Sequence, residues 1–307
     1  MRARGIPLRS IRETLGRHRR LATVWAYVEL TKPDITLLVV IAAAAAFWLG
    51  SGHPVDRLGL RHVLVGVTAL SAGIAAMNHY LERERDGRMR RTSRRPLPSG
   101  RLRPRQALIF GLGLSILAEV HLFFFLNPLT ALLGALAFVS YLFIYTPLKT
   151  RTTLCTTIGA IPGAMPALMG WTAARGEITV EGWVLFAILF LWQFPHFFAI
   201  AWMYREDYAR GGIRMLPVVD PDGRRTGRQI VLYTLLLVGV SLLPPVLKLS
   251  GPVYLIGAIL LGGYFLWHSL RAARTRARGH ARQVLKASIV YLPLLLGLLC
   301  FDLPALP

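Results

Sequence analysis

Val63-Leu-Val-Gly-Val-Thr-Ala-Leu-Ser-Ala-Gly-Ile-Ala-Ala-Met-Asn78-His-Tyr-Leu-Glu82-Arg-Glu-Arg-Asp86 is an apolar run that turns polar with no turn signal between its halves. Its first part, residues 63–81, comes close to the roughly 20 apolar residues a helix needs to cross a bilayer. Steps of four residues advance about 40° past a full helical turn, so Asn78, Glu82 and Asp86 form one slowly drifting polar stripe, with Glu84 on the opposite side. A spanning helix that carries a polar stripe from within the bilayer out into a loop is the unit from which the rest of the chain is read.

Eight further stretches resemble the first part: residues 35–49, 107–126, 129–145, 154–171, 183–203, 230–247, 253–270 and 287–301. They predict an all-α polytopic membrane protein, a bundle of nine transmembrane helices. No second domain remains: residues 1–33 read as a basic N-terminal tail with an interfacial segment, and residues 34–307 as the helical domain. The composition agrees. Of 307 residues, 54% are hydrophobic and 17% charged, which excludes a disordered chain and sits oddly with a soluble one. Cys155 and Cys300 both lie in apolar runs, so they read as small buried hydrophobes, with no disulfide scaffold.

The chain carries 36 Lys and Arg against 15 Asp and Glu, a net charge of +21. Such an excess suits nucleic acid or an anionic membrane surface, and its distribution decides between them. With the N-terminus cytoplasmic, 32 of the 36 bases fall in the inner segments, leaving only Arg57, Arg61, Arg175 and Lys248 outside. Cytoplasmic loops are enriched in Lys and Arg. The alternation therefore predicts an N-terminus inside, a C-terminus outside and no nucleic-acid partner; the partner is the lipid bilayer. Residues 1–20 hold seven Arg, one Glu and no apolar core, which excludes a secretory signal and leaves a cytoplasmic tail or an Arg-rich transit segment. Residues 21–30 are expected to lie along the interface, anchored by Trp25 and Tyr27.

Two inner loops are long, residues 82–105 and 204–228, and both begin as polar continuations of a span. In the first, Asn78, Glu82 and Asp86 offer oxygens to Mg²⁺, a hard cation usually shared between one or two carboxylates and substrate phosphates. The alternative is a set of helix-end charges paired with nearby arginines; against it stands Asn78, two turns inside the apolar segment, where polar groups are costly without a cavity or partner. Arg91 and Arg95 would share a face if the helix ran on to Pro96, and their planar forks match phosphate oxygens. A metal site beside a basic cluster suggests a diphosphate substrate.

The second loop follows Trp192-Gln193-Phe-Pro195-His196-Phe and contains Tyr204-Arg-Glu-Asp207-Tyr. Pro195 can bend its helix within the bilayer. His196 lies two turns below the loop, either as a packing residue or as a functional one, and Asp207 supplies a second carboxylate. Between the two loops, Tyr145-Thr-Pro-Leu-Lys149-Thr-Arg151 adds bases that either extend the cluster or mark orientation. The run Gly159-Ala-Ile-Pro162-Gly-Ala-Met-Pro166 is expected to break a helix at membrane depth. Lys32, before Pro33, could also reach a phosphate. Glu119 and His121 lie toward the outer end of the third span, as a structural pair or a second site.

At these residues the sequence resembles the intramembrane prenyltransferases of the UbiA type, over nearly all of residues 30–303. The resemblance rests on Asn78-xxx-Glu82-xxx-Asp86, Arg91-Thr-xx-Arg95-Pro-Leu-Pro-Ser-Gly, Tyr145-Thr-Pro-Leu-Lys, Gly159-Ala-Ile-Pro-Gly-Ala, Trp192-Gln-x-Pro-His-Phe and Asp207-Tyr with Met215-Leu-Pro-Val, six motifs in order on the inner face. Glu at 82 and the pattern Tyr204-Arg-Glu-Asp207 are similar to the haem-modifying branch, which favours haem over a quinone precursor. Asp34 stands where the family commonly has Arg, so no phosphate role passes to it.

The resemblance implies transfer of the farnesyl group of farnesyl diphosphate to a vinyl group of haem b, with water added, giving haem O for haem-copper oxidase biogenesis. It implies Mg²⁺ at Asn78, Glu82, Asp86 and Asp207, and diphosphate at Arg91, Arg95, Lys149, Arg151 and Lys32. It sets His196, Gln193, Tyr204 and Tyr145 against haem or the prenyl chain, with His196 contacting haem or moving a proton. A haem A synthase would follow it, in the cell (inner) membrane or, in a eukaryote, the mitochondrial inner membrane. Two other readings stay open: an aromatic-ring acceptor at the same diphosphate site, and a transporter, which the one-sided charge and the want of an inverted repeat disfavour.

Overall fold

The computed structural model describes residues 21–52 and 54–303; the basic segment 1–20 lies outside the described residues. The described chain is helical. Helix α1 (Leu21–Leu30) precedes α2 (Pro33–Ser51), α3 (Arg57–Arg88), α4 (Pro104–Phe125) and α5 (Pro128–Val139). A π-turn, Ser140–Tyr145, joins α5 to the short α6 (Thr146–Leu148). There follow α7 (Cys155–Arg175), α8 (Val180–Met203), α9 (Arg205–Arg210), α10 (Leu216–Val219), α11 (Arg224–Ser241), α12 (Leu243–Val246), α13 (Pro252–Thr275) and α14 (Arg278–Phe301).

Among the described residues, eight helical segments are long and apolar enough to cross a membrane, the fourth running from Pro128 through the π-turn to Leu148. The 21-residue α7 lies among them, buried along most of its length. The long helices form a closed ring: α2, α3, α4, α5, α7, α8, α11, α13 and α14 each pack on the next, and α14 returns to α2. Contact between α2 and α7 pinches the ring into two lobes, and both helices contribute to both apolar cores. The outward faces of the helices carry Ile109, Leu117, Phe124 and Leu260, each about seven-tenths exposed, an apolar surface suited to lipid and not to water.

Between helices that already face hydrocarbon, close approach and polar pairs supply specificity. Gly170 of α7 lies directly on the Ala43 carbonyl of α2, with no room for a Cβ. Thr130 pairs with Thr172 at 2.9 Å, Thr36 with Ser71 and Thr234 with Ser269 at 3.0 Å each, and the Tyr291 hydroxyl donates to Ser241 at 2.8 Å.

Three sequence expectations are corrected. Helix α3 ends at Arg88, well before Pro96, and residues 89–100 form successive turns, because the Thr92 hydroxyl folds back to donate to the Asp86 carbonyl at 2.8 Å. Arg91 and Arg95 therefore do not share a helical face. The Gly/Pro run does not break α7, which stays helical through Pro162 and Pro166. The Gln193 amide of α8 donates to the Ala160 carbonyl at 2.9 Å, tying α8 to this stretch of α7, which is buried in protein as a proline-bearing membrane helix requires, and Gly163 leaves the space Gln193 occupies. Third, Glu119 and His121 are not a pair: His121 faces His62 at 3.3 Å, while Glu119 lies against Leu70 and Gly134. Cys155 is buried and Cys300 partly so, and both are free. Trp25 points outward, two-thirds exposed, and Tyr27 packs edge-on against Phe110.

The α2–α7 contact predicts a local sensitivity. Gly170→Ala should lower the thermal midpoint in detergent by the equivalent of about 1–3 kcal/mol, the usual cost of overpacking. Gly113→Ala, whose Cβ meets nothing within 4 Å, should leave it unchanged. Equal midpoints for both variants would mean that the two helices do not meet this closely.

Candidate functional site: a charged chamber at one end of the ring

The stripe read from the sequence is present. Asn78, Glu82 and Asp86 are 1%, 8% and 1% exposed, whereas Glu84 on the opposite face is exposed. Burying two carboxylates at a helix end is costly unless each is paired and hydrogen-bonded, and the surrounding elements supply the partners.

The first set comes from the end of the fourth span. A π-turn inserts an extra residue into a helix, often at a functional site; here Ser140–Tyr145 brings Tyr141, Tyr145 and Lys149 to the stripe. The Lys149 ammonium lies 4.5 Å from the centre of the Tyr145 ring and 5.8 Å from that of Tyr141, and it donates to Glu82 Oε1 at 2.8 Å. Burial pulls the Lys149 pKa down, but the Glu82 carboxylate outweighs it and holds the ammonium well above its usual range. Asn78 Nδ2 donates to the other Glu82 oxygen at 3.0 Å.

The second set comes from α1, α2 and the turns after α3. Lys32 donates to Asn78 Oδ1 at 2.6 Å, from a backbone at φ 47° and ψ 64°, the left-handed region that costs a non-glycine residue roughly 1–2 kcal/mol. Such strain concentrates at functional sites, and here it aims the side chain inward. Burial, aided by Arg95 and Lys149 and opposed by Glu82 and Asp86, brings the Lys32 pKa down to about 7. Arg95 Nη1 donates to both Asp86 oxygens, at 2.9 and 2.8 Å.

Asp207 has a different position from that expected. The backbone N–H groups of Arg90 and Arg91 donate to its two oxygens at 3.1 and 3.0 Å, and Arg210 pairs with it. Burial raises its pKa, but these donors outweigh burial and hold it below the ordinary carboxylate range. Asp207 is therefore a clamp between the two loops and is not joined to Glu82 or Asp86. Arg91 is exposed, its guanidinium 5.6 Å from both the Tyr204 and Tyr208 rings, and Arg151 is also exposed, outside the cluster.

His196 and Gln193 belong to a separate contact layer. Gln193 donates to the Ala160 and Leu189 carbonyls. His196 stacks on Trp192 at 4.5 Å, with Nδ1 2.8 Å from the Ser288 hydroxyl of α14. That hydroxyl donates to the Leu285 carbonyl at 2.7 Å, so Nδ1 carries the proton and Nε2 keeps its lone pair.

Among the described residues no three acidic, His or Cys side chains gather into a ready-made metal cage. The donor chemistry nevertheless fits Mg²⁺ for two groups: Glu82 and Asp86, with the Asn78 amide beside them, match a cation that takes one or two carboxylates and fills its remaining positions with water and phosphate oxygens. Asp207 stands apart from this pair, its oxygens held by the Arg90 and Arg91 N–H groups and by Arg210 and not by the cations of the chamber. The sequence reading missed Tyr141, which the same four-residue step back from Lys149 and Tyr145 would have found, and Arg210. It also missed His79, which no pattern marks.

The clamp predicts that Asp207→Ala will accelerate amide hydrogen exchange at Arg90 and Arg91 by about tenfold or more, as local opening becomes easier. Exchange within α3 should hold. Unchanged protection at both amides would mean that Asp207 does not hold this turn.

Comparison with known proteins agrees with this architecture. The UbiA prenyltransferase family matches residues 38–292. A protoheme IX farnesyltransferase from Solibacter usitatus is 52% identical over 289 residues, 91% of this chain and 99% of that protein. In fold, the chain is similar to a digeranylgeranylglyceryl phosphate synthase, with a TM-score of 0.76 at 21% identity over 91% of this chain and 98% of that one. It is also similar to a UbiA homolog from Archaeoglobus fulgidus bound to DMAPP and Mg²⁺, with a TM-score of 0.66 at 15% identity over 90% and 97% of the two chains. The chain belongs to the UbiA prenyltransferase family.

Proposed function

We propose that the chain transfers the farnesyl group of farnesyl diphosphate to a vinyl group of haem b, giving haem O and diphosphate. The single observation that carries the donor half is the charge of the chamber. Lys149 and Arg95 balance Glu82 and Asp86, and Lys32, protonated when an anion binds beside it, adds one more positive charge, so a bound divalent cation leaves the site three charges positive, the complement of a trianionic diphosphate ester. The acceptor half is supported by the 52% identity to a protein of that activity across nearly its full length.

Mg²⁺, held by Glu82, Asp86 and Asn78, would supply neutralising charge to the leaving diphosphate. Arg95, Lys149 and Lys32 bind the diphosphate oxygens, Arg95 and Lys149 exchanging their carboxylate partners for phosphate and Lys32 its Asn78 amide oxygen. Arg91 adds a guanidinium at the mouth. As the C1–O bond of the donor breaks, its electron pair leaves with the diphosphate, and these cations are placed beforehand where that charge develops. The vinyl carbon of haem then bonds to C1. Water adds to the resulting cation and loses a proton, completing the hydroxyethylfarnesyl group. Enclosure within the ring of helices keeps water from the allylic cation until that bond forms.

His196 contributes the free Nε2 lone pair, either to haem or as the acceptor of the released proton, with Ser288 fixing its tautomer. Tyr145 positions Lys149, Tyr204 positions Arg91 and Gln193 supports the helix behind them. The bases of the chamber and of the loops beside it lie at one end of the ring, which supports a cytoplasmic active site with the N-terminus inside, the C-terminus outside and the protein in the cell membrane. Residues 1–33 then form the cytoplasmic tail and its interfacial segment, residues 34–307 the catalytic domain, and a haem A synthase would take the product.

The reading is tested with purified protein, farnesyl diphosphate, haem b and Mg²⁺. Haem O should accumulate, identified by its mass. Glu82→Ala and Asp86→Ala should each lose at least about a hundredfold in rate, in line with removal of a group acting on transition-state charge, and EDTA should abolish turnover. Near-normal turnover by either variant would sink the metal assignment, and prenylation of hydroxybenzoate in place of haem b would sink the acceptor.

A further inference from the structure

A pocket of about 310 Å³ opens beneath α1, between Trp25 and Val28 on one wall, Ile35 of α2 on another, and Lys32, His79 and Arg95 at its floor. None of the motifs above uses His79. It is 2% exposed, and neither ring nitrogen has a hydrogen-bond partner, although buried polar atoms are almost always satisfied. An imidazole left without partners in the wall of a polar pocket is set to receive a ligand atom.

Its neighbours also have donors to spare. Arg95 spends only Nη1 on Asp86, leaving Nε and Nη2. Lys32 spends one proton on Asn78 and keeps two. Of the acids near the mouth, Glu29 is neutralised by Arg101 at 2.6 Å, and Asp34 is exposed. The floor is therefore an anion site with three kinds of donor.

The wall above it is apolar and outward-facing: Trp25 is 66% and Ile35 59% exposed. An anion bound here can carry a hydrocarbon chain that lies against Trp25, Val28 and the surrounding lipid. The pocket also shares two of its cations with the chamber. Lys32 reaches Asn78 and Arg95 reaches Asp86, so a head group can pass from the outer site to the metal stripe without losing contact with either cation. The volume suits a diphosphate and its first isoprene unit and is too small for a porphyrin.

We infer that the pocket beneath α1 is a vestibule that takes the diphosphate head of the prenyl donor from the membrane interface and hands it to the Glu82–Asp86 stripe, with His79 as a hydrogen-bonding residue of that outer site. The inference rests on the proposed donor and is independent of the acceptor.

The test is direct binding of farnesyl thiolodiphosphate, which resists ionisation, to full-length protein in phosphatidylcholine nanodiscs without haem. His79→Phe keeps a flat ring but removes both nitrogens; it should weaken binding about tenfold, with His79→Gln restoring part of the loss. Trp25→Ala, on the exposed rim, should slow association severalfold and leave the folded state intact. In turnover, KM for farnesyl diphosphate should rise in His79→Phe while KM for haem b holds. Wild-type affinity in His79→Phe, or a wild-type association rate in Trp25→Ala, would overturn the vestibule, as would a rise confined to the KM for haem b. If His79→Phe instead loses binding of phosphatidylglycerol but not of the thiolodiphosphate, the pocket belongs to a lipid headgroup and the inference also fails. Wild-type protein that binds the thiolodiphosphate in a His79-dependent way yet never prenylates haem b would leave the vestibule standing and overturn the acceptor alone.

Discussion

Two carboxylates buried at the end of a membrane helix set the terms for everything around them. Glu82 and Asp86 are each a tenth exposed or less, and an ionised carboxylate removed from water must be matched by charge and hydrogen bonds or it destabilises the fold. The chain meets this need from three directions, with Lys149 delivered by a π-turn, Arg95 by a turn that folds back under the helix, and Lys32 by a left-handed residue at the start of α2. Each device costs something in regular structure. The π-turn gives up ideal helix geometry and Lys32 occupies a backbone region disfavoured for a side chain, which is what a site that determines its surroundings looks like.

The same pairs explain how such a site can be both stable and receptive. A buried ion pair contributes little net stability over a well-packed apolar alternative, yet losing one partner is expensive. Exchange of partners is different. When a metal takes over the carboxylates and phosphate oxygens take over the ammonium and guanidinium groups, no charge is left uncompensated at any stage. The chamber is therefore preorganised by its own ion pairs, which substrate and metal would replace, and little reorganisation is left for the reacting state.

The sequence made most of this legible, for reasons that differ by element. Apolar runs of spanning length announce themselves, so all nine long helices of the ring fall where the hydropathy puts them; their ends shift by a few residues because polar caps extend them. The four-residue step found the buried stripe because a helix preserves it. It failed beyond Arg88, where Gly87 weakens the last turn and a hydroxyl-to-carbonyl bond from Thr92, which the sequence does not show, closes the end. It misjudged α7 because proline's missing N–H is visible in sequence while the packing that holds the helix, with the Gln193 amide thirty-three residues from its acceptor, is not. Asp207 offers a carboxylate to metal by residue type and by resemblance; that it also holds main-chain N–H groups 116 and 117 residues away is something no side-chain pattern encodes.

Asp207 also shows why the two halves of the chain act as one. The turn after α3 carries Arg95 to Asp86; Met89 and Leu97 anchor its ends in two apolar clusters, and its backbone is also fixed by a carboxylate from the loop after α8. The Lys149 segment is tied to the same loop, since the Arg214 N–H donates to the Lys149 carbonyl at 2.7 Å. Thus the two cations that neutralise the stripe, one from each side of it, are both registered on a single peptide, residues 205–214. A displacement of that peptide moves Arg95 and Lys149 together, and the charges of the chamber are kept in balance because their supports are shared.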